Sequence, residues 1–249
     1  MDAVISTGRF DAVIFDLDGV VTQTSAVHAA AWKRLFDGFL RERAAARDEP
    51  FTPFDLERDY RLYVDGKPRY DGVRDFLASR GIELPQGDPS DAAGTPTVCG
   101  LGNRKDEYFV AEVRENGVKT YPATVALIGE LHRAGLRVGL MSSSRNTVMV
   151  LEATGLTGLF DQRVDGVVSD ELGLAGKPDP AAYLETARRL GVEPSRAAVV
   201  EDALSGVEAG RRGGFGLVIG VDRLDQAAAL LEHGADVVVP DLADVTLGA

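Results

Sequence analysis

Short apolar runs alternate with amphipathic segments through the second half of the chain. Within residues 124–134, Val125, Ile128 and Leu131 recur at helical spacing, which predicts a helix with one buried face. The apolar runs that we interpret as strands lie at residues 136–141, 162–168, 197–200, 217–221 and 236–239. The helices predicted between and after them cover residues 124–134, 145–154, 180–190, 205–213 and 224–233. This alternation predicts an α/β fold, a Rossmann-like parallel sheet with helices on both faces.

The pattern changes between the first strand and Tyr121. One long helix is predicted over residues 25–47, and its apolar side carries Trp32, Leu35, Phe36 and Leu40. Strand-like runs are scarce in this stretch, and residues 86–100 are predicted as a loop rich in Gly, Pro, Asp and Thr, which contains Cys99. We therefore predict an α/β core domain at residues 1–23 and 121–249, with an inserted α-helical cap domain at residues 24–120.

The first apolar run ends at two carboxylates that lie one residue apart. Side chains alternate along an extended backbone, so Asp16 and Asp18 point to the same side. Two carboxylates this close repel each other unless a positive charge lies between them, and a divalent cation with oxygen ligands is the usual partner. A carboxylate can also act as a nucleophile and form an aspartyl phosphate. Taken alone, the segment is more typical of a turn than of a catalytic site, since Asp and Gly favour turns.

Polar side chains also follow later strands. Ligands of open parallel sheets bind at the carboxyl ends of the strands, where Ser142–Ser144 and Glu201–Asp202 lie. Asp202 can join Asp16 and Asp18 in holding Mg²⁺, Ser142 can donate to a phosphate at a helix N-terminus, and Lys177 can neutralise phosphate charge. Each has an ordinary alternative: a helix N-cap for the serines, a solvated loop for the lysine and a helix-start acid for Asp202. Their shared position at strand ends favours phosphoryl transfer.

The composition and the net charge limit the classes of binding partner that we expect. The chain has 249 residues and a formal net charge of −12, which argues against general binding to nucleic acid or to an anionic membrane but allows a small phosphorylated substrate. The single cysteine allows no disulfide within the chain and fits a reducing compartment. No apolar run approaches the roughly 20 residues that span a bilayer, and no signal peptide is apparent. We expect a cytoplasmic monomer.

The motifs resemble those of the haloacid dehalogenase superfamily of phosphotransferases. The matching elements, in chain order, are Asp16-Leu17-Asp18-Gly19-Val20, Ser142, Lys177-Pro178 and Glu201-Asp202. Within that superfamily the chain is most similar to the β-phosphoglucomutase-like subfamily. The further matches are Thr24, His28, Trp32, Gly66-Lys67-Pro68-Arg69, Arg104-Lys105 and Ser142-Ser143-Ser144-Arg145-Asn146.

The resemblance implies a role for each matching core residue. Asp16 would attack a phosphoryl group, and Asp18 would be the general acid–base, with its backbone carbonyl rather than its carboxylate on Mg²⁺. Asp202 would complete the metal site, with Glu201 as a further ligand or as a partner of one. Ser142, the adjacent amide of Ser143 and Lys177 would stabilise the phosphoryl oxygens.

The resemblance also implies a set of substrate-binding residues. These are His28, Trp32, Arg69, Lys105, Ser144 and Arg145. Arg69 would hold the distal phosphate, because a guanidinium forks onto phosphate oxygens. Lys105 would orient sugar hydroxyls, and His28 would couple cap closure to Asp18. Without the resemblance, we would interpret His28 as an ordinary histidine of a helix and Arg69 as a solvated charge in a loop.

The implied activity is a Mg²⁺-dependent phosphomutase acting on a small sugar phosphate. It would interconvert β-D-glucose 1-phosphate and D-glucose 6-phosphate through β-glucose 1,6-bisphosphate, which would also serve as primer. Two alternatives stay open: a phosphatase of the same fold that hydrolyses a sugar phosphate or another small phosphometabolite, and a non-catalytic phosphosugar-binding protein.

Overall fold

In the computed structural model, which describes residues 3–248, strand β2 (Ala12–Asp16) lies inside a six-stranded parallel sheet. All five residues of β2 are buried. Its neighbours are β3 (Arg137–Met141) and β5 (Ala197–Glu201), with Phe15 opposite Leu140 and Val200. A strand covered on both faces shows no polar side, which is why the residues of β2 before Asp16 form an unbroken apolar run. The remaining strands are β4 (Gln162–Val164), β6 (Leu217–Val221) and β7 (Val237–Val239), and the order is β4-β3-β2-β5-β6-β7.

Helices connect the strands of this sheet. They are α4 (Pro122–Arg133), α5 (Thr147–Thr154), α6 (Gly166–Leu172), α7 (Ala181–Leu190), α8 (Leu204–Arg212) and α9 (Ala227–Glu232). The predicted α/β architecture, with a Rossmann-like parallel sheet, is confirmed. Among the described residues, no helix combines the length and the apolar character that crossing a bilayer requires.

Two details of the strands differ from the prediction. The strand expected over residues 162–168 ends at Val164, because the Asp165 carboxylate accepts hydrogen bonds from the N–H groups of Val167 and Val168 and so starts α6. A separate two-stranded parallel sheet, β1 (Ala3–Ser6) with β8 (Val245–Gly248), was not predicted. Each of these strands has only four residues, too few for a clear pattern.

The chain forms two compact units. One consists of Met1–Gln23 and Val118–Ala249, and the other consists of Thr24–Gly117. Residues 1, 2 and 249, which the predicted core domain includes, lie outside the described residues. The second boundary lies three residues before the predicted one. Lys119 accepts a hydrogen bond from the Gln23 N–H, and Tyr121 donates to the Val21 carbonyl, so residues 119–121 pair with the segment after β2.

The Thr24–Gly117 unit is helical. Its elements are α1 (Ser25–Arg47), a π-helical turn (Tyr60–Val64), α2 (Arg69–Ser79) and α3 (Val98–Asn116). Its core holds stacked and tilted rings of Trp32, Phe36, Phe54 and Phe76, with neighbouring centroids 4.0–5.3 Å apart. The predicted loop 86–100 ends earlier than expected. The Thr97 hydroxyl accepts from the Gly100 N–H and caps α3, so Cys99 is buried in a helical turn rather than in a loop.

Asp59 is a buried charged group of the helical unit. Its carboxylate accepts hydrogen bonds from the Asp55 N–H and from the guanidinium groups of Arg80 and Arg58, while its side chain is 1% exposed. Burial alone would raise the pKa of Asp59, but these donors outweigh it and hold the pKa below its ordinary value of 3.8. A lowered pKa means that the carboxylate stabilises the fold above pH 3.8 and that this contribution is lost as pH falls through the lower, folded-state pKa.

We predict that Asp59→Asn lowers the free energy of unfolding by about 2 kcal/mol at pH 7, because the charged acceptor of two arginines is lost. The difference between wild type and variant should shrink below about pH 4. Urea unfolding at pH 7 and pH 3 measures both. Asp71→Asn is the matched control, because Asp71 forms a solvent-exposed pair with Arg74 and its loss should cost a few tenths of a kcal/mol. Equal losses in the two variants would contradict the prediction.

Candidate active site

Lys177 lies between two carboxylates at the carboxyl ends of β2 and β5. Its ammonium donates to Asp16 Oδ1 at 2.6 Å and also to Glu201 Oε1, and all three side chains are buried. Asp16 is the last residue of β2, and Glu201 is the last residue of β5. Because β2 and β5 are adjacent and parallel, their final carboxylates meet at one edge of the sheet.

Glu201 is held by more than Lys177. The Tyr183 hydroxyl, from α7, donates to Glu201 Oε1 at 3.0 Å, and the Ala203 N–H donates to Oε2 at 2.8 Å. A Cβ built at Gly206, in the first turns of α8, would overlap this carboxylate. Both oxygens of Glu201 are therefore engaged, and the absence of a side chain at Gly206 makes room for them.

The charges of this cluster shift the proton equilibria. Burial raises the pKa of Asp16 well above its ordinary value, although the Lys177 ammonium opposes that shift. Burial would lower the pKa of Lys177, but the carboxylates of Asp16 and Glu201 outweigh it and raise the pKa. Burial and the Glu201 carboxylate raise the pKa of Tyr183, which keeps its proton for the hydrogen bond.

The same carboxylates suit a divalent cation. Asp16, Glu201 and Asp202 each offer an oxygen, these oxygens lie within 4.8 Å of one another, and all three residues are buried. Three carboxylates against one ammonium leave an excess of negative charge in a buried site. Hard oxygen donors in this number fit Mg²⁺, which would keep several waters.

The turn after β2 carries Asp18. Asp18 is half-buried, and its charge acts on Asp16. Gly19 follows with φ of 86°, in the left-handed region that glycine adopts without strain, and its N–H donates to the Thr22 carbonyl at 2.7 Å. This closed turn fixes the backbone on which Asp18 is carried.

The serine-rich turn after β3 lies before a helix rather than at its start. Helix α5 begins at Thr147, not at residue 145, so the expected place of Ser142 at a helix N-terminus is wrong. The buried Ser142 Oγ instead accepts the Ser144 N–H at 3.1 Å, and Ser144 Oγ accepts the Asn146 N–H at 3.1 Å. These local hydrogen bonds hold the backbone in a turn and delay the helix. Arg145 is exposed and pairs with Asp170.

In the helical unit, the structure brings His28, Trp32 and Lys105 together. The Lys105 ammonium lies 2.5 Å from His28 Nδ1 and 4.9 Å from the centre of the Trp32 ring, and His28 stacks on Phe109 with centroids 4.1 Å apart. Lys105 is 4% exposed. A buried ammonium over aromatic faces is a cation–π arrangement, so neither His28 nor Lys105 is an ordinary solvated helix residue.

Arg69 begins α2 and pairs with a carboxylate of α3. Its Nη1 lies 2.7 Å from Asp106 Oδ1, and its side chain is 17% exposed. Burial would lower the pKa of Arg69, but Asp106 outweighs it and raises the pKa. The guanidinium also lies over the Tyr70 ring, 5.1 Å from its centre. Arg69 is thus ordered by neighbours rather than solvated in a loop.

The sequence pattern assigned a role in the site to neither Tyr183 nor Gly206. Tyr183 lies on the apolar face of α7, so its position in the sequence indicates a core residue. The only feature that could have indicated more is its hydroxyl, because a buried tyrosine hydroxyl needs a hydrogen-bond partner. Gly206 lies where a helix was predicted, and a glycine inside a helix is a reason to expect close packing.

Comparison with known proteins places this geometry in a family. The model of the haloacid dehalogenase-like hydrolases matches residues 10–214. The chain is 51% identical over 237 residues to a β-phosphoglucomutase of Mycobacterium tuberculosis, covering 94% of this chain and 90% of that protein. It is 30% identical over 236 residues to a β-phosphoglucomutase of Bacillus subtilis, covering 95% and 92%. The crystal structure of a Clostridium difficile β-phosphoglucomutase has a similar fold, with a TM-score of 0.72, 23% identity, and coverage of 94% and 92%.

We predict that Gly206→Ala destabilises the protein by about 1–3 kcal/mol, because the added methyl group displaces the Glu201 carboxylate and with it Lys177. Thermal unfolding measures the change. The matched control is Gly129→Ala in α4, where a Cβ meets nothing within 4 Å and the better helix former should stabilise by about 0.5–1 kcal/mol. A stabilised Gly206→Ala variant would show that the space beside Glu201 is not restricted.

Proposed function

Because the chain belongs to the haloacid dehalogenase-like hydrolase family, we propose that it is a Mg²⁺-dependent phosphomutase that interconverts β-D-glucose 1-phosphate and D-glucose 6-phosphate. The observation that carries the proposal is the buried cluster of Asp16, Lys177, Glu201 and Asp202 at the strand ends. The 51% identity to the mycobacterial β-phosphoglucomutase guides the choice of substrate.

Asp16 is the nucleophile in this proposal. Its carboxylate oxygen attacks phosphorus, a new O–P bond forms, and the bond from phosphorus to the sugar oxygen breaks. Asp18 gives a proton to the departing sugar oxygen and later takes one from the accepting hydroxyl. The bisphosphate forms when the aspartyl phosphate passes its phosphoryl group to the free hydroxyl of a sugar monophosphate. The closed turn at Gly19 supports this role by fixing the backbone beside Asp18.

Lys177 and the turn after β3 are proposed to stabilise the negative charge of the phosphoryl group. Lys177 is the buried cation, and Ser142 and the N–H of Ser143 are the proposed donors from the turn after β3. Asp16, Asp202 and the Asp18 carbonyl would hold Mg²⁺, which neutralises charge on the phosphoryl oxygens. Glu201 is better suited to fixing Lys177, since its two oxygens already accept three hydrogen bonds.

The helical unit supplies candidates for binding the sugar phosphate. Arg69 has the fork geometry for a second phosphate and lies ordered beside Asp106. Lys105, with His28 and Trp32 around it, is the candidate for sugar hydroxyls. In the other unit, Ser144 and Arg145 follow Ser142 and are that unit's proposed substrate-binding residues.

A phosphatase is the second candidate, and the family description as hydrolases favours it. Both activities share the aspartyl phosphate, and they differ in whether water or a sugar hydroxyl accepts the phosphoryl group. A non-catalytic binding protein is a third candidate, which the intact pair of Asp16 and Asp18 argues against.

We predict that the protein with Mg²⁺, β-glucose 1-phosphate and a trace of the 1,6-bisphosphate forms glucose 6-phosphate, with inorganic phosphate release below about a tenth of product. A coupled dehydrogenase assay measures the 6-phosphate, and a colorimetric assay measures phosphate. Phosphate release that matches substrate loss, without 6-phosphate, would identify the phosphatase. Tight binding with neither product would identify the binding protein.

We also predict that Asp16→Asn lowers kcat by roughly 10³-fold or more, because an amide cannot act as the nucleophile. Asp11→Asn is the matched control at the opposite end of β2, where Asp11 is exposed and pairs with Arg196. Its activity should stay within about twofold of wild type. An Asp16→Asn variant that turns over at the wild-type rate would contradict the mechanism.

A further inference from the structure

The turn that follows β6, residues 222–226, contacts both loops that carry the proposed catalytic and metal-binding residues. Arg223 Nε donates to the Gly19 carbonyl at 2.9 Å. Gln226 Nε2 donates to the Asp202 carbonyl at 3.0 Å. Gly19 follows Asp18 directly, so one five-residue segment holds the backbone beside the proposed acid–base and beside a proposed metal ligand.

The turn is itself fixed by its own hydrogen bonds. Asp222 Oδ1 accepts from the Gln226 N–H at 2.8 Å and from the Leu224 N–H at 3.3 Å. The Asp222 N–H donates to the Val239 carbonyl, at the end of β7, at 2.8 Å. A segment held in this way can act as a rigid support for the two side chains that it presents.

Arg223 joins the Gly19 turn to another part of the core unit. Its guanidinium lies 3.7 Å from the centre of the Tyr121 ring, its Nη1 donates to the Pro240 carbonyl, and its side chain is 14% exposed. The Tyr121 N–H donates to the Val21 carbonyl at 3.0 Å. Arg223 and Tyr121 thus hold the segment from Gly19 to Val21 at both of its ends.

Two polar atoms of this turn cost stability rather than add to it. Within the described residues, Arg223 Nη2 and Gln226 Oε1 are buried and have no hydrogen-bond partner. A buried polar atom without a partner is destabilising, so it offsets part of the stabilisation that Arg223 gains from the Tyr121 ring and the Gly19 and Pro240 carbonyls. Arg223 Nε nevertheless donates to the Gly19 carbonyl, and Gln226 Nε2 donates to the Asp202 carbonyl.

We infer that residues 222–226 are a positioning element, in which Arg223 aligns the Asp18–Gly19 turn for proton transfer and Gln226 aligns Asp202 for the metal. The inference rests on the proposed function, because it takes Asp18 to be the acid–base. Neither residue touches the reacting atoms, so both act through the backbone that they hold.

Two substrates that differ in their leaving group can distinguish a positioning role of Arg223 from a general structural role. A sugar oxygen leaves phosphorus only when it receives a proton, whereas 4-nitrophenolate leaves without one. Misalignment of Asp18 should therefore slow attack on a sugar phosphate and spare the first attack on 4-nitrophenyl phosphate, which is measured as the burst of 4-nitrophenolate before an acceptor takes the phosphoryl group from Asp16. Damage to Asp16, Lys177 or the metal site should slow both.

The experiment compares Arg223→Met with Arg211→Met, an exposed arginine of α8 that pairs with Asp236. We expect Arg223→Met to lower kcat for β-glucose 1-phosphate by about 10- to 100-fold, with the KM for that sugar phosphate and the burst rate of 4-nitrophenolate release within about threefold of wild type. Arg223→Lys should recover part of the loss, because an ammonium can still donate to the Gly19 carbonyl. Arg211→Met should match wild type.

Asp18→Asn is the reference for the proposed function. If it does not slow the sugar phosphate selectively, the acid–base role itself fails. If it does and Arg223→Met slows both substrates equally or neither, the positioning role of Arg223 is overturned. Should Arg223→Met not fold, Arg223→Lys decides: a selective loss of a few-fold supports the inference, and wild-type behaviour overturns it.

The role of Gln226 is tested by measuring Mg²⁺ binding in the absence of substrate. Gln226→Met should weaken Mg²⁺ binding by about tenfold in isothermal titration calorimetry, as the loss of a residue that orients a ligand does. The ratio of rates for the two phosphate esters should stay as in wild type. Unchanged Mg²⁺ affinity would overturn the role of Gln226.

Discussion

One buried cation, Lys177, fixes the arrangement of the candidate site. An ammonium removed from water is costly unless carboxylates and hydrogen bonds surround it, and Lys177 has Asp16 on β2 and Glu201 on β5. The two carboxylates in turn require a cation, because they end adjacent parallel strands and lie close together. Each member of this group is stable in its place only with the others, so the strand ends have little freedom to shift.

The helical unit contains a second buried lysine in a different environment. Lys105 lies against His28 and over the rings of Trp32 and Phe109. Aromatic faces attract a cation through their electron-rich centres, so the surroundings of Lys105 differ in kind from those of Lys177. Lys177, in contrast, is matched by carboxylates and serves first to organise them. The two lysines thus show how one residue type is buried in two different environments.

Much of the fold and of the first candidate residues could be predicted from the sequence, because the signals are local. Strands covered on both faces give unbroken apolar runs, and α1 begins and ends at the predicted residues. The end of β4 and the start of α3 depend on single capping side chains, Asp165 and Thr97, which an apolar pattern does not show. Tyr183, Arg223 and Gln226 were not predicted because their partners are distant in the chain, and two of those partners are backbone carbonyls that no residue type indicates.

The tight packing of Gly206 against Glu201 also limits how this protein can change over evolutionary time. A side chain at position 206 has no room while a glutamate occupies position 201. A shorter acid at 201 would make room, but it would give up the reach to Lys177 and to the Tyr183 hydroxyl. The two positions can therefore be substituted only together, and an alignment of homologues should show them varying as a pair or not at all.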